Sequence, residues 1–73
     1  MNADDLADII EEHHGSSWFT AGEFRIATGK PLRGNGGYSD GLFQTLFSKN
    51  RIERRPIPPG RTYALWEYRI TQP

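Results

Sequence analysis

The sequence predicts a small α+β fold, three helices followed by a C-terminal β-hairpin. Three observations carry that expectation. Thr20-Ala21-Gly22-Glu23 has the form of a capping box, the signature of a helix start. Leu42, Phe43, Leu46 and Phe47 repeat at i, i+1, i+4, i+5, an apolar stripe with helical period. Ala64, Trp66, Tyr68 and Ile70 alternate along a strand that follows the turn signal Pro58-Pro59-Gly60-Arg61.

The first helix is expected over residues 3–14. Leu6, Ile9, Ile10 and His13 fall on one face, Asn2 can cap the start, and Asp4, Asp5 and Asp8 suit the positive end of the helix dipole. Gly15 is a natural stop. Residues 16–20 read as short and extended. The second helix then starts after Thr20, with Phe19 and Phe24 placed as a hydrophobic staple, and ends at Gly29 with Pro31 beyond. Residues 29–37 hold four glycines and read first as a flexible connector, second as a backbone-rich contact loop. They lack the phosphate-loop pattern. The third helix is expected over about residues 39–50, with Ser39 as cap and Asn50 as its end. Ile52 to Ile57 and Thr62 to Ile70 form the arms of the hairpin. Pro59 and Gly60 sit at the centre of a type II turn. Prolines 56, 58 and 59 confine the first arm to a sheet edge or shorten it. The expected core is Leu6, Ile9, Ile10, Phe24, Leu42, Phe43, Leu46, Ile52 and Trp66.

With 73 residues there is room for one domain, spanning 1–73, and one core of modest stability. The absence of cysteine excludes disulfides and thiolate metal sites and suits a reducing cytoplasm. No apolar run reaches the roughly 18 residues that cross a bilayer, and the first residues are acidic, unlike a signal peptide. A cytoplasmic protein with no membrane partner is therefore expected. Net charge is zero, but the two signs are segregated. Residues 1–24 carry six acids and no Lys or Arg, a net −6; residues 25–73 carry nine bases and three acids, a net +6. A basic region suits an anionic partner and an acidic helix a basic one, unless both are simply solvated faces.

Catalytic chemistry is not expected. The two histidines, His13 and His14, are consecutive, so on a helix they diverge by about 100° and cannot share a metal. His13 is expected in the apolar stripe and His14 in solvent. Glu11 and Glu12 diverge in the same way, and no metal-ligand spacing or cofactor motif is present. Catalytic, cofactor and metal sites are accordingly all expected to be absent.

The order helix, extended segment, helix, helix, two-stranded wing resembles the winged-helix family. Phe19-Thr20-Ala21-Gly22-Glu23-Phe24 is similar to the segment opening its second helix. Leu46-Phe47-Ser48-Lys49-Asn50-Arg51-Ile52-Glu53-Arg54 is similar to the end of its third helix turning into the wing, with Asn50 where a glycine is usual. In length, lack of cysteine and general character the chain is also similar to the small RNA-polymerase-binding regulators of lytic Xanthomonas phages. That resemblance implies a transcription inhibitor or antitermination factor at work in the host cytoplasm, and no site residue is carried over from it.

Two kinds of partner follow. For a protein partner, RNA polymerase or another transcription protein, the candidate contacts are Asp4, Asp5 and Asp8 on the acidic helix and Arg54, Arg55, Arg61, Tyr63 and Arg69 on the hairpin. The chain has nine aromatic residues, more than a small core holds, and Trp, Tyr and Arg are the types enriched at interface hot spots. For the alternative, a DNA-binding repressor or excisionase-like factor, the candidates are Gln44, Lys49, Arg51, Arg54, Arg55 and Arg61. That case is the thinner one. The exposed positions of the third helix would be Ser39, Asp40, Gln44, Thr45, Ser48 and Lys49, with one base among them and Asp40 set to repel phosphate. A structural or assembly adaptor is a third class, and under every reading a monomer is expected.

Overall fold

The computed structural model describes residues 1–58, 60 and 65–71. Its elements are α1 (Ala3–His14), α2 (Ala21–Thr28), α3 (Asp40–Ser48), β1 (Ile52–Pro56) and β2 (Trp66–Ile70). The strands pair antiparallel, from Ile52 opposite Ile70 to Pro56 opposite Trp66. The Ile57 N–H donates to the Leu65 carbonyl at 3.1 Å and carries the pairing one step further. This is the expected arrangement of three helices and a hairpin. Gly60 has φ 88°, the sign a type II turn needs at that position. Pro59, Arg61, Thr62, Tyr63 and Ala64 lie outside the described residues, and with them most of the expected turn and the start of the second arm.

Local chemistry accounts for the helix ends. The Thr20 hydroxyl accepts from the Glu23 N–H at 3.1 Å while the Glu23 carboxylate accepts from the Thr20 N–H at 2.9 Å. Asn2 and Asp5 form the same reciprocal pair at the start of α1, at 2.9 and 3.0 Å. Two of the four orphan N–H groups of each helix start are thereby satisfied. The staple is present too, with the Phe19 and Phe24 rings 6.1 Å apart. Thr20→Ala should lower unfolding free energy by about 1 kcal/mol, read as a shift of the urea midpoint with unchanged slope.

α3 is shorter than expected, beginning at Asp40 and stopping at Ser48. Asn50 adopts φ 55°, its N–H donates to the Phe47 carbonyl at 3.0 Å, and the Arg51 N–H donates to the Leu46 carbonyl at 2.9 Å. This is a Schellman closure with asparagine at the left-handed position, and it turns the chain directly into β1.

One hydrophobic cluster draws on every element. Leu6, Ile10, Phe24, Phe43, Leu46 and Ile52 are buried as expected, whereas Ile9, Leu42 and Trp66 are only half-buried and pack at its margin. Phe19, Leu32, Tyr68, Ile70, Ala3 and Ala7 complete the core. The inward face of α1 runs through Ala3, Leu6, Ala7, Ile10 and His14, a phase set by two alanines small enough for close packing. The expected places of the two histidines are therefore exchanged: His13 is exposed, and His14 is half-buried with its ring stacked on Phe19 at 4.3 Å between centroids.

The extended segment before α2 has a definite role. Phe19 N–H donates to the Tyr68 carbonyl at 2.8 Å and Tyr68 N–H to the Phe19 carbonyl at 2.7 Å, an antiparallel bridge on β2. The glycine-rich loop is also built in. Leu32 is 2% exposed, and the Tyr38 N–H donates to the Pro31 carbonyl at 3.2 Å. At Gly37 a Cβ would lie 2.6 Å from the Pro31 carbonyl oxygen, so only glycine fits that crossing. α1 packs on α2, α3 and β2, while α2 and α3 meet each other little, with Leu32 contributing to the core from the loop between them. Among the described residues no helix is long and apolar enough to cross a membrane.

Candidate interaction surfaces

Strand alternation sorts the hairpin side chains into two faces. Ile52, Tyr68 and Ile70 point into the core. Arg54, on the same side but at the margin, lies over the Trp66 ring at 4.3 Å and the Phe47 ring at 5.6 Å. The opposite face carries Glu53, Arg55, Glu67 and Arg69. In the strand register Glu53 faces Arg69 and Arg55 faces Glu67, and each opposed pair forms an ion pair: Arg55 Nε to Glu67 Oε1 at 2.9 Å, and Arg69 Nε to Glu53 Oε1. Over them lies Trp18, from the segment between α1 and α2. The Arg55 and Arg69 guanidiniums sit 4.1 and 4.5 Å from its ring. A planar guanidinium can stack and bond a carboxylate at once, which a lysine ammonium cannot do in the same geometry. The product is a half-exposed plate of two arginines, two glutamates and a tryptophan. Its ion pairs are surface pairs worth about 0–1 kcal/mol each. Their consequence is orientation, since each arginine is held between a carboxylate and a ring.

The candidate residues for a protein partner thus fall into three groups. Arg55 and Arg69 are brought together with Trp18, which is not among the expected contacts. Arg54 stands on the far side of the same hairpin. Arg61 and Tyr63 lie outside the described residues. On α1, Asp4 bonds Arg51 at 2.8 Å, and Asp5 is engaged in the cap. Asp8 is exposed with no ion-pair partner among the described residues, as are Glu11 and Glu12, so the acidic surface lies further along α1 than Asp4, Asp5 and Asp8 alone suggest. Of the DNA-reading candidates, Gln44 is exposed on α3 and Lys49 at its C-cap, Arg51, Arg54 and Arg55 have the partners just described, and Arg61 lies outside the described residues. Asp40 opens α3 in its first turn, as expected.

His14 is the titrating group with a distinct environment. Its Nε2 is buried with no hydrogen-bond partner. Burial lowers its pKa below the ordinary 6.5, against an opposing pull from Glu23 and with a smaller lowering from His13. The folded protein therefore prefers neutral His14, and the unfolded chain binds the proton more readily. The contribution to stability is complete above pH 6.5 and is lost as pH falls through the lower folded value. The urea midpoint should fall between about pH 7.5 and about pH 5, and His14→Phe, which keeps the stack on Phe19, should flatten that dependence. Among the described residues no group of acids and histidines is placed to hold a metal ion.

No family model, curated protein or solved structure matches this chain.

Proposed function

We propose that the chain is a non-enzymatic, winged-helix-like transcription regulator that binds the transcription machinery, bacterial RNA polymerase, through protein contacts. It would inhibit initiation or promote antitermination. The observation that carries the protein-contact reading is the plate of Trp18, Arg55 and Arg69. Arginines locked by Glu53 and Glu67 onto a tryptophan form a preorganised surface of the residue types that dominate protein interfaces. Among the described residues the same pairing neutralises Arg55 and Arg69 and leaves Arg54 as the hairpin arginine without a carboxylate partner, a small positive charge for a wing that must hold phosphates. The winged-helix reading draws support from the Phe19–Tyr68 bridge, which adds a third extended segment to the hairpin at the place in chain order where that family has its first strand. The slight contact between α2 and α3 departs from a closely packed helix-turn-helix pair. Polymerase is the partner implied by the resemblance to the phage regulators.

The test is affinity capture by the tagged chain from a nuclease-treated bacterial lysate. Polymerase subunits should be retained without DNA. Retention should weaken for the Arg55→Ala, Arg69→Ala double variant, and for Asp8→Asn combined with Glu11→Gln and Glu12→Gln. Loss of polymerase from the retained fraction on nuclease treatment would contradict the proposal.

A further inference from the structure

Cations without a carboxylate partner also stand on α2 and in the loop that follows it. Arg25, on α2, and Lys30 and Arg33, in the following loop, are exposed and have no acidic partner among the described residues; Lys30 lies over the Tyr38 ring at 4.3 Å and Arg33 over the Phe43 ring at 5.5 Å, which leaves their charges without a counter-ion. Arg25 and Arg33 line the same shallow cleft, together with Ala21, Gly22, Pro31 and Leu32. Next to Arg25, Ile26 is 86% exposed, the most exposed of the large apolar side chains. By helical spacing Gly22, Arg25 and Ile26 share one face of α2.

Gly22 adds an independent observation. It is an ordinary helical residue without positive φ, and a Cβ there would meet only Thr20 Oγ1, at 3.8 Å. Nothing inside the fold requires glycine, and glycine within a helix costs up to about 1 kcal/mol relative to alanine. Its effect is external: it leaves the face beside Ile26 flat, so that another chain can approach the α2 backbone. The loop that forms the other wall is held in place by Leu32 and by the Gly37–Pro31 crossing, so the cleft is preformed.

We infer that this α2–loop face is a second docking surface, for an acidic peptide segment of a protein partner that carries apolar side chains. Ile26 and the Pro31 edge of the cleft take the apolar groups, and Arg25 and Arg33 take carboxylates. Charge complementarity sets the sign of the partner, and the exposed isoleucine sets its class. A phosphodiester backbone gains nothing from Ile26, and three cations fall short of the about 6–10 phosphate contacts of a strongly salt-dependent DNA binder. A second copy of this chain offers acids on α1, but the apolar face of that helix is already inside its own core. The inference holds whether or not the partner of the hairpin is polymerase.

The experiment is selection of random linear peptides displayed on phage against the immobilised full chain, followed by mapping of the selected peptides, synthesised free, through backbone amide shifts. Selected sequences should be enriched in Asp or Glu interspersed with Leu, Ile or Phe, and should shift amides within residues 21–33. Arg25→Glu should weaken them about tenfold or more, and Gly22→Leu should weaken them by occlusion. Arg25→Glu and Gly22→Leu should keep urea midpoints close to that of the wild type, which separates lost docking from lost folding. Peptides without acidic enrichment, or acidic peptides that shift the hairpin instead, would overturn the inference. So would a DNA duplex that shifts residues 21–33 at lower concentration than the peptides, or concentration-dependent self-association through those residues.

Discussion

Phe19→Ala should remove a large share of the stability of this protein at 25 °C. Truncating a buried phenylalanine costs about 3–5 kcal/mol, and a domain of this size holds roughly 0.05–0.15 kcal/mol per residue in total. Phe19 has an unusual concentration of roles. Its ring stacks on His14, meets Phe24 at 6.1 Å and Tyr68 at 6.0 Å, and its backbone bonds β2 in both directions. One residue thereby ties the end of α1, the start of α2 and the last strand together. The check is far-UV circular dichroism with urea titration. A variant that keeps the wild-type midpoint would remove Phe19 from the centre of this fold. Phe19→Leu, which retains the apolar volume but not the stack, should fall between the two.

Leu46→Ala should cost about 2–5 kcal/mol. Leu46 is fully buried on α3, and its carbonyl also closes the Schellman turn that starts β1. The side-chain loss opens a cavity at the junction of α3 with the rest of the core, next to a turn that fixes the direction of the hairpin. Thermal unfolding should shift down by several degrees at least, roughly 4–8 °C for each kcal/mol in a domain of this size. By contrast Leu42→Ala, on a half-buried neighbour, should cost less. An equal loss at the two positions would mean that the phase of α3 against the core is misplaced.

How far the sequence can be read is shown by particular residues. The ends of α2 were legible to the residue because capping is local chemistry: Thr20, Glu23, Phe19 and Phe24 state the start, and Gly29, with φ 77°, states the stop. The burial of Leu46 and Phe43 followed from period alone. The phase of α1 did not, because alanine carries little hydrophobic signal. Ala3 and Ala7 face inward through close packing, and Ile9, a stronger signal, is drawn to the margin. Phe19 and Tyr68 were harder still. The staple names Phe19 and the strand alternation names Tyr68, but the depth of their burial depends on a bridge between residues far apart in sequence, which neither local pattern reports. Leu32 was concealed by the glycines around it, whose composition reads as a flexible connector. The interaction plate was half legible. Arg55 and Arg69 are expected contacts from the sequence, but nothing local marks Trp18, Glu53 or Glu67 as their partners. Once the strand register is known, the opposition of Glu53 to Arg69 and of Arg55 to Glu67 follows from period two. The segregation of charge along the chain was real but incompletely preserved in space, since Asp4 and Arg51 meet across it.

The central claim is that this fold works through protein contacts and not by reading DNA. The most direct measurement is duplex DNA binding by the isolated protein at physiological salt, with no polymerase present. The account predicts weak, sequence-independent binding, in the range of about 10⁻⁴–10⁻⁶ M and weaker still as salt rises. A nanomolar footprint on a defined DNA sequence, lost on changing Gln44 or Lys49, would contradict it.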